Sequence, residues 1–197
     1  MTGVQTCALP IYFNKGLKKT IFTCVRYGNV LESTGSVIPF FESKIKNKEE
    51  IPLTDPRMTR FIIYPEQAVE LIFNAIKFGV GGEVFIPKLP AFKIVDLIDI
   101  LKEKHASKVQ IKNIGLRPGE KIHELMLNEA EIPLTYSFND IFIITSVIST
   151  YNKTNTAQYC QENLRLNENI MKTYSSESAV ISREEVKKLF KDLGLLG

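Results

Sequence analysis

The sequence predicts an α/β fold, because short apolar segments with strand character alternate with helical segments along its 197 residues. The clearest helix is predicted over Pro65–Phe78, since Pro65 suits the first helical position and Gly79 the position after the last. The apolar segment 83–87 follows as a strand, and this alternation indicates that part of the sheet is parallel. The predicted apolar face of the helix consists of Ala68, Val69, Ile72, Phe73 and Ile76.

Shorter segments precede this helix. Residues 20–25 are mostly β-branched or aromatic, which predicts a buried strand. Residues 36–45 begin like a helix that Pro39 interrupts. Residues 51–54 are predicted to form a short strand, and residues 55–61 are predicted to form a loop.

The same alternation continues after residue 87. A second helix is predicted over Ile94–Lys104, with its apolar residues on one face. Residues 109–114 alternate between apolar and polar, as a half-exposed strand does. Residues 117–127 are predicted to form a loop that runs into a helix, and residues 140–144 are predicted to form another apolar strand.

The carboxyl-terminal part of the chain is polar until its last helix. Residues 149–178 are rich in Asn, Thr, Ser and Gln, which predicts a long, poorly ordered surface segment. Ser182 and Glu185 have the spacing of a capping box and start the last predicted helix, which Gly194 ends. Its apolar stripe consists of Val186, Leu189, Phe190 and Leu193.

Composition excludes several classes of partner. Hydrophobic residues make up 44% of the chain, and no apolar run is long enough to span a bilayer, so we expect no membrane partner. The net charge of +3 is too small and too dispersed for nucleic-acid binding. Cys24 and Cys160 lie far apart without CxxC spacing, which indicates reduced thiols in a cytoplasmic protein. His105 and His123 lack a second ligand at helical spacing, so we expect no metal site.

Residues 1–11 have no charged side chain and no periodicity of a helix or a strand. They match, without a mismatch, the translation of a common short-read sequencing adaptor in which GTG is read as the initiator Met. A signal peptide would need a basic start, a longer apolar run and a small-residue cleavage site. We therefore expect residues 1–11 to be adaptor-derived and unstructured, and the natural chain to begin near Tyr12.

The chain contains no complete set of catalytic residues. Gly79, Gly81 and Gly82 resemble a dinucleotide fingerprint, but they precede a strand, whereas the fingerprint must follow a strand and open a helix. A helix cap followed by a turn explains these glycines. The sequence has no Tyr-x-x-x-Lys pair, no GxSxG elbow, no P-loop and no HExxH motif. We therefore predict no catalytic residue in this chain.

Polar residues cluster in three loops. The first cluster, residues 26–30, follows a strand, and open α/β sheets bind ligands at the carboxyl ends of their strands. A plain turn, with Arg26 solvated and Asn29 in the left-handed conformation, is the alternative. In the second cluster, Arg57 and Arg60 flank a hydroxyl, an arrangement that suits a phosphate, although one arginine could instead form a salt bridge.

The third cluster is the segment Arg-Pro-Gly-Glu-Lys at residues 117–121. Its Pro and Gly fix a turn. Arg117 can bind a phosphate, and Glu120 can accept hydrogen bonds from a ribose diol. Helix capping would also explain Glu120.

The order of four segments, "VRYGNVLESTGSVIPFF", "LTDPRMTRF", "GGEVFIPKLPAFKIVDL" and "IGLRPGEKIHELML", resembles the carboxyl-terminal half of the UDP-N-acetylglucosamine 4,6-dehydratases. These enzymes are extended short-chain dehydrogenase/reductases of bacterial polysaccharide and glycan biosynthesis. The resemblance covers residues 15–144, and "EVFIPK", "KIVDL" and "RPGEK" are similar to the inverting branch. The chain departs from the family pattern at Thr34, where an arginine is usual.

The resemblance implies the carboxyl-terminal part of a Rossmann-like fold that lacks the amino-terminal dinucleotide-binding half. It implies three regions after residue 11: the end of the Rossmann-like domain with an inserted substrate-binding segment (12–88), a substrate-binding subdomain (89–148), and a polar segment with the last helix (149–197). The implied substrate-binding residues are Asn29, Ser36, Arg60, Arg117 and Glu120. The implied cofactor-binding residues are Tyr27 and Gly28.

The resemblance also implies a lyase that converts UDP-N-acetylglucosamine to a 4-keto-6-deoxy sugar with inversion at C5. Bound NAD(P)+ takes a hydride from C4, water is lost across C5–C6, and the hydride returns to C6. We expect the complete enzyme to bind NAD(P) and a UDP-sugar and to form a homo-oligomer. We expect this chain to be inactive and to bind no cofactor tightly. The alternatives are part of a nucleotide-sugar 4-epimerase and a non-catalytic UDP-sugar binding module.

Overall fold

The structure is a computed structural model that describes residues 20–31, 37–145, 158–161, 165–167, 169 and 171–196. It contains two compact units, the first within residues 1–27, 65–88 and 125–174 and the second within residues 28–64, 89–124 and 175–197. The predictions for residues 1–11, Thr34 and Ser36 lie outside the described residues. The predicted regions 12–88, 89–148 and 149–197 concern the complete enzyme and stay predictions.

The described residues form ten short strands, five α-helices and one turn of 3-10 helix at Ile132–Leu134. The strands are β1 (Cys24–Val25), β2 (Ile51–Leu53), β3 (Thr59–Phe61), β4 (Val84–Pro87), β5 (Ala91–Lys93), β6 (Ile111–Asn113), β7 (Leu125–Leu127), β8 (Thr135–Phe138), β9 (Ile141–Ile144) and β10 (Tyr174–Ser175). The α-helices are α1 (Val37–Lys46), α2 (Pro65–Phe78), α3 (Ile94–Lys104), α4 (Gln158–Gln161) and α5 (Arg183–Asp192).

The first unit is built on a four-stranded sheet in the order β1-β4-β9-β8. β1 pairs with β4 in parallel, whereas β9 pairs antiparallel with both β4 and β8. β4 and β9 are buried along their whole length, as strands covered on both faces are. The predicted α/β class is confirmed, and β1 is an edge of the sheet that the described strands form.

Helix α2 has the predicted bounds, but most of its predicted apolar face does not pack against the first unit. The buried residues of the helix are Ala68, Leu71 and Ala75. Because two of these are alanines, the helix lies close to the sheet on this side, and its larger apolar side chains point elsewhere. Those exposed side chains, which we call the α2 face, are Val69 (50% exposed), Ile72 (42%), Phe73 (64%) and Ile76 (72%).

We expect the α2 face to make the chain self-associate, because contiguous exposed apolar surface of this kind associates in water. The double variant Phe73→Ser/Ile76→Ser should shift the chain from oligomers towards monomers in sedimentation-velocity experiments at matched concentrations. Glu70→Ser, an exposed polar substitution on the same helix, is the control and should change nothing. A wild-type chain that sediments as a monomer would contradict the prediction.

The second unit has its own apolar core, to which α1, α3 and α5 contribute. Phe41 of α1, Leu97 of α3 and Phe190 of α5 are all buried, and the rings of Phe92 and Phe190 meet edge to face at 6.0 Å. β2 pairs with β6 in parallel, and β3 pairs antiparallel with β5. The capping box at Ser182 is present, so the predicted start of the last helix is confirmed.

Three sequence predictions about local structure are wrong. Pro39 does not interrupt α1, because it lies in the first turn, where backbone N–H groups have no helical acceptor. The predicted loop 55–61 contains β3, whose residues pair with β5. The predicted loop 117–127 leads into strand β7 and not into a helix.

The prediction of a surface segment at 149–178 is wrong for Tyr159, Leu166, Tyr174 and Ser176, which are buried. Tyr159 is fully buried in the first unit, where its hydroxyl donates to Glu83 Oε1 at 2.9 Å. The Glu83 carboxylate also accepts hydrogen bonds from the backbone amides of Val80 and Gly81, both at 2.8 Å. The polar composition of the segment therefore gave no indication that Tyr159 is buried. Its burial is favourable because its hydroxyl has a hydrogen-bond acceptor in Glu83.

The part of the chain that the structure describes contains no helix long and apolar enough to cross a membrane. Within the same residues, no three or more His, Cys, Asp and Glu side chains come together as metal ligands would. Cys24 and Cys160 are both half-buried, and they form no disulfide with each other.

Candidate substrate-binding site

A cavity of about 720 Å³ lies in the second unit, a volume typical of small-molecule sites. Its polar wall consists of Gly28, Asn29, Thr54, Arg60, Arg117 and Glu120. Its other lining residues are mostly apolar, and we call them the apolar wall; they include Leu31, Ile38, Phe40, Phe41, Phe92 and Ile114. The fold therefore gathers at one cavity most of the site residues that the sequence predicts, although they lie far apart in the chain.

Five of the seven predicted site residues line the cavity, and several lining residues, Thr54 among them, were not predicted. Ser36 lies outside the described residues, and Tyr27 is exposed and does not line the cavity. Thr54 is the last residue of the predicted strand 51–54, and its hydroxyl gave no signal in the sequence. Phe40 and Ile114 are apolar but largely exposed, a combination that only the structure reveals.

The Arg-Pro-Gly-Glu segment forms a tight turn at the rim of the cavity. The Glu120 amide donates to the Arg117 carbonyl at 3.0 Å, and Gly119 has a φ of +81°, which fits a type II turn with Pro118 before the glycine. The Glu120 carboxylate accepts hydrogen bonds from the Arg117 amide and the Thr54 hydroxyl, both at 3.3 Å. It does not cap a helix, because β7 follows this segment, so that alternative is wrong.

The Arg117 guanidinium is exposed and has no hydrogen-bond or ion-pair partner among the described residues. A guanidinium carries five N–H donors in a planar fork that matches the oxygens of a phosphate. Because the turn fixes its backbone, Arg117 is a positioned cation whose donors are available to a ligand.

Arg60 is held more tightly than Arg117. Its Nη1 donates to the carbonyls of Thr59 (2.7 Å) and Ile122 (3.0 Å), and its Nη2 donates to the carbonyl of Lys121 (3.0 Å). Nη2 also lies 3.8 Å from the Met58 sulfur. The charge of Arg60 therefore lies at the cavity while most of its donors fix the neighbouring loop.

Arg57, the other arginine of the second cluster, binds Asp55 and does not line the cavity. Its Nε and Nη2 donate to the two oxygens of the Asp55 carboxylate at 3.0 and 2.8 Å. These hydrogen bonds lower the pKa of Asp55 to about 2. The salt-bridge alternative is therefore correct for Arg57. Of these two arginines, Arg60 is the one that lines the cavity.

The first polar cluster does not form the plain turn that was considered as an alternative. Arg26 is not solvated, because its guanidinium binds both oxygens of Glu131 at 3.1 and 2.9 Å and the Met126 carbonyl at 2.6 Å. Asn29 does not adopt the left-handed conformation. Its side chain is exposed at the cavity, without a hydrogen-bond partner among the described residues.

Glu124, which contacts the residue after the second cluster, has a raised pKa. The Glu124 side chain accepts a hydrogen bond from the Phe61 amide at 2.8 Å. Burial raises the pKa of Glu124 above its usual value, and the Phe61 hydrogen bond and the charge of Arg60 oppose this shift. Glu124 is half-buried and does not line the cavity.

The sheet of the first unit is mixed, and arginine, amide and carboxylate groups surround the cavity of the second unit. Residues 6–146 match the model of the family described as polysaccharide biosynthesis protein. The chain belongs to this family.

Three similar proteins support this placement. The X-ray structure of Pen from Bacillus thuringiensis is 35% identical in sequence and has a TM-score of 0.84. The match covers 98% of this chain and 57% of the Pen chain. The inverting UDP-N-acetylglucosamine 4,6-dehydratase of Campylobacter jejuni is 43% identical over 71% of this chain and 41% of its own length. An uncharacterized membrane protein of Methanocaldococcus jannaschii is 36% identical over 92% of this chain and 53% of its own length. The resemblance to the dehydratases is thereby confirmed, and the chain spans about half the length of these relatives.

Proposed function

We propose that this chain supplies the substrate-binding part of an NAD(P)-dependent UDP-sugar 4,6-dehydratase, a lyase of polysaccharide biosynthesis. The observation that supports this proposal is the convergence of Asn29, Arg60, Arg117 and Glu120 on one cavity. The complete enzyme would convert UDP-N-acetylglucosamine to a 4-keto-6-deoxy sugar with inversion at C5. It would act in the cytoplasm as a homo-oligomer.

The chemistry of the wall suits the UDP part of such a substrate. Arg117 would bind the diphosphate through its unpartnered guanidinium, and Arg60 would add a second positive charge. Glu120 would accept hydrogen bonds from the ribose hydroxyls, and Asn29, with Ser36, would contact the rest of the substrate. The apolar wall would cover the less polar parts of the ligand and exclude water.

The glycine turn of this chain does not fit a dinucleotide. A phosphate at such a turn needs free backbone amides. Here the Glu83 carboxylate accepts from the Gly81 amide, and the Gly82 amide donates to the Phe22 carbonyl at 2.8 Å. The nicotinamide cofactor would therefore be bound mainly by the other half of the complete enzyme. Tyr27 and Gly28 would contact it only at the edge of the cofactor site.

Two features of the first unit favour a missing half. Among the described strands β1 is at the edge of the sheet, and it pairs in parallel with β4, as in doubly wound sheets that continue beyond such a strand. The α2 face is apolar and exposed, and helices of doubly wound sheets normally bury such surface against a neighbour. The dinucleotide-binding half of a longer chain would pair with β1 and would cover the α2 face.

A chimeric enzyme tests this proposal. Residues 12–197 would replace the matching segment of the Campylobacter jejuni dehydratase, and the purified chimera would be incubated with UDP-N-acetylglucosamine and NAD(P)+. We expect a 4-keto-6-deoxy sugar as the product, identified by mass spectrometry and NMR. A C4 epimer would instead support the epimerase alternative. Binding of UDP without turnover, in a chimera that also binds the cofactor, would support the non-catalytic module.

A further inference from the structure

Thr59 connects two segments that are distant in the sequence. Its side chain is buried on β3, where its Oγ1 lies 2.8 Å from His123 Nδ1 and 2.7 Å from Ser176 Oγ. Its backbone amide separately donates to the Ile122 carbonyl at 3.1 Å. One hydroxyl therefore joins β3 both to the loop that precedes β7 and to the segment that follows β10.

Ser176 completes this connection from the carboxyl-terminal side. Its amide donates to the Glu124 carbonyl at 2.8 Å, and its Oγ accepts from the Glu124 amide at 2.8 Å. The same Oγ lies 3.1 Å from the Thr59 carbonyl. Ser176 is fully buried, so its hydroxyl cannot exchange these partners for water.

Within the loop at residues 117–124, the second half has more contacts with other segments than the first half. Residues 121–124 are fixed by the carbonyl contacts of Arg60, by the Phe61–Glu124 hydrogen bond, and by Thr59 and Ser176. The turn at 117–120 is mostly exposed, and its only described side-chain contact with another segment is the long bond from Thr54 to Glu120. The position of the Arg117 backbone therefore depends on the anchored residues that follow it.

We propose that the hydroxyls of Thr59 and Ser176 form a clasp that positions the 117–124 loop, and with it Arg117 and Glu120, for UDP-sugar binding. The ligand named here rests on the proposed function. Removing either hydroxyl leaves buried polar partners unsatisfied, which costs more than the hydrogen bond itself contributed. The loop then opens locally, because short exposed segments with few contacts have the lowest local stability.

The test compares Thr59→Val, Ser176→Ala and Thr59→Ser in the full 197-residue chain. Thr135→Val is the matched control, because the Thr135 hydroxyl is equally buried and donates to the Glu131 carbonyl at 2.7 Å in the first unit. Two quantities are measured for each protein: amide hydrogen exchange at residues 117–124 and the dissociation constant of UDP by calorimetry.

We expect Thr59→Val and Ser176→Ala to speed exchange at residues 120–124 and to weaken UDP binding, each by about 10-fold. Thr59→Ser keeps the hydroxyl and should restore both quantities to within about 3-fold of the wild type. Thr135→Val should change neither the exchange rate at residues 120–124 nor the UDP affinity, whatever its effect on overall stability.

The exchange rates test the clasp, and UDP binding by the wild-type chain tests the proposed function. Unchanged exchange in both hydroxyl-deleted variants, or failure of Thr59→Ser to restore it, would overturn the clasp. Faster exchange with unchanged UDP affinity would overturn its role in positioning Arg117. A wild-type chain that binds no UDP would contradict the proposed function, while the exchange rates would still decide whether the hydroxyls hold the loop.

Discussion

Phe190→Ala is expected to destabilise the second unit by about 3–5 kcal/mol, the usual cost of deleting a buried phenylalanine ring. Phe190 is 1% exposed, packs edge to face against Phe92, and joins α5 to the core formed with α1 and α3. A typical domain is stable by only about 5–15 kcal/mol, so this loss is a large fraction of the total. Urea unfolding followed by far-ultraviolet circular dichroism measures it.

Phe73→Ala is the matched control for this experiment. It removes the same ring from a position that is 64% exposed, so it should cost little stability. If Phe190→Ala cost less than about 1 kcal/mol, α5 would not be part of the core of the second unit. The role of α5 matters for function because this core also supports the apolar wall of the cavity.

Helix positions in this chain could be predicted well from the sequence, because caps and periodicity are local signals. The bounds of α2 and α3 are as predicted, and the capping box at Ser182 is present. The burial of α2 could not be predicted, because periodicity reveals an apolar stripe but not whether anything in the chain covers it. The same limit explains β3 and β7, which are strands because of partners that are distant in the sequence.

The site could be predicted in part. Resemblance and the chemistry of guanidinium groups pointed to Arg60, Arg117 and Glu120, and the cavity contains all three. The resemblance named Arg60 and not Arg57, but side-chain chemistry alone could not distinguish them, because the difference depends on Asp55 binding one of them. The clasp of Thr59 and Ser176 also gave no signal, since serine and threonine are common in loops of every kind.

Arg117→Ala is expected to weaken UDP binding by roughly 10–150-fold, since a hydrogen bond to a charged group contributes about 1.5–3 kcal/mol. The free chain should lose little stability, because the Arg117 guanidinium has no partner among the described residues. Arg60→Ala should weaken binding within the same range, but it should also loosen residues 121–122, whose carbonyls Arg60 contacts. The two arginines are thereby distinguished by the stability of the free chain.

Arg57→Ala is the matched control for these substitutions. Arg57 is exposed, lies three positions from Arg60 in the sequence, and binds Asp55 outside the cavity wall. Its removal changes the net charge as Arg117→Ala does, so any general electrostatic effect on an anionic ligand should appear in both variants. A specific diphosphate contact should appear in Arg117→Ala alone.

The most direct measurement is a calorimetric titration of the wild-type chain, Arg117→Ala and Arg57→Ala with UDP, and with NAD(P)+ in separate experiments. We predict that the wild type and Arg57→Ala bind UDP with similar affinity, that Arg117→Ala binds it at least 10-fold more weakly, and that none binds NAD(P)+ tightly. Equal UDP affinity in all three proteins would contradict the assignment of the cavity as the site for the UDP part of a nucleotide sugar.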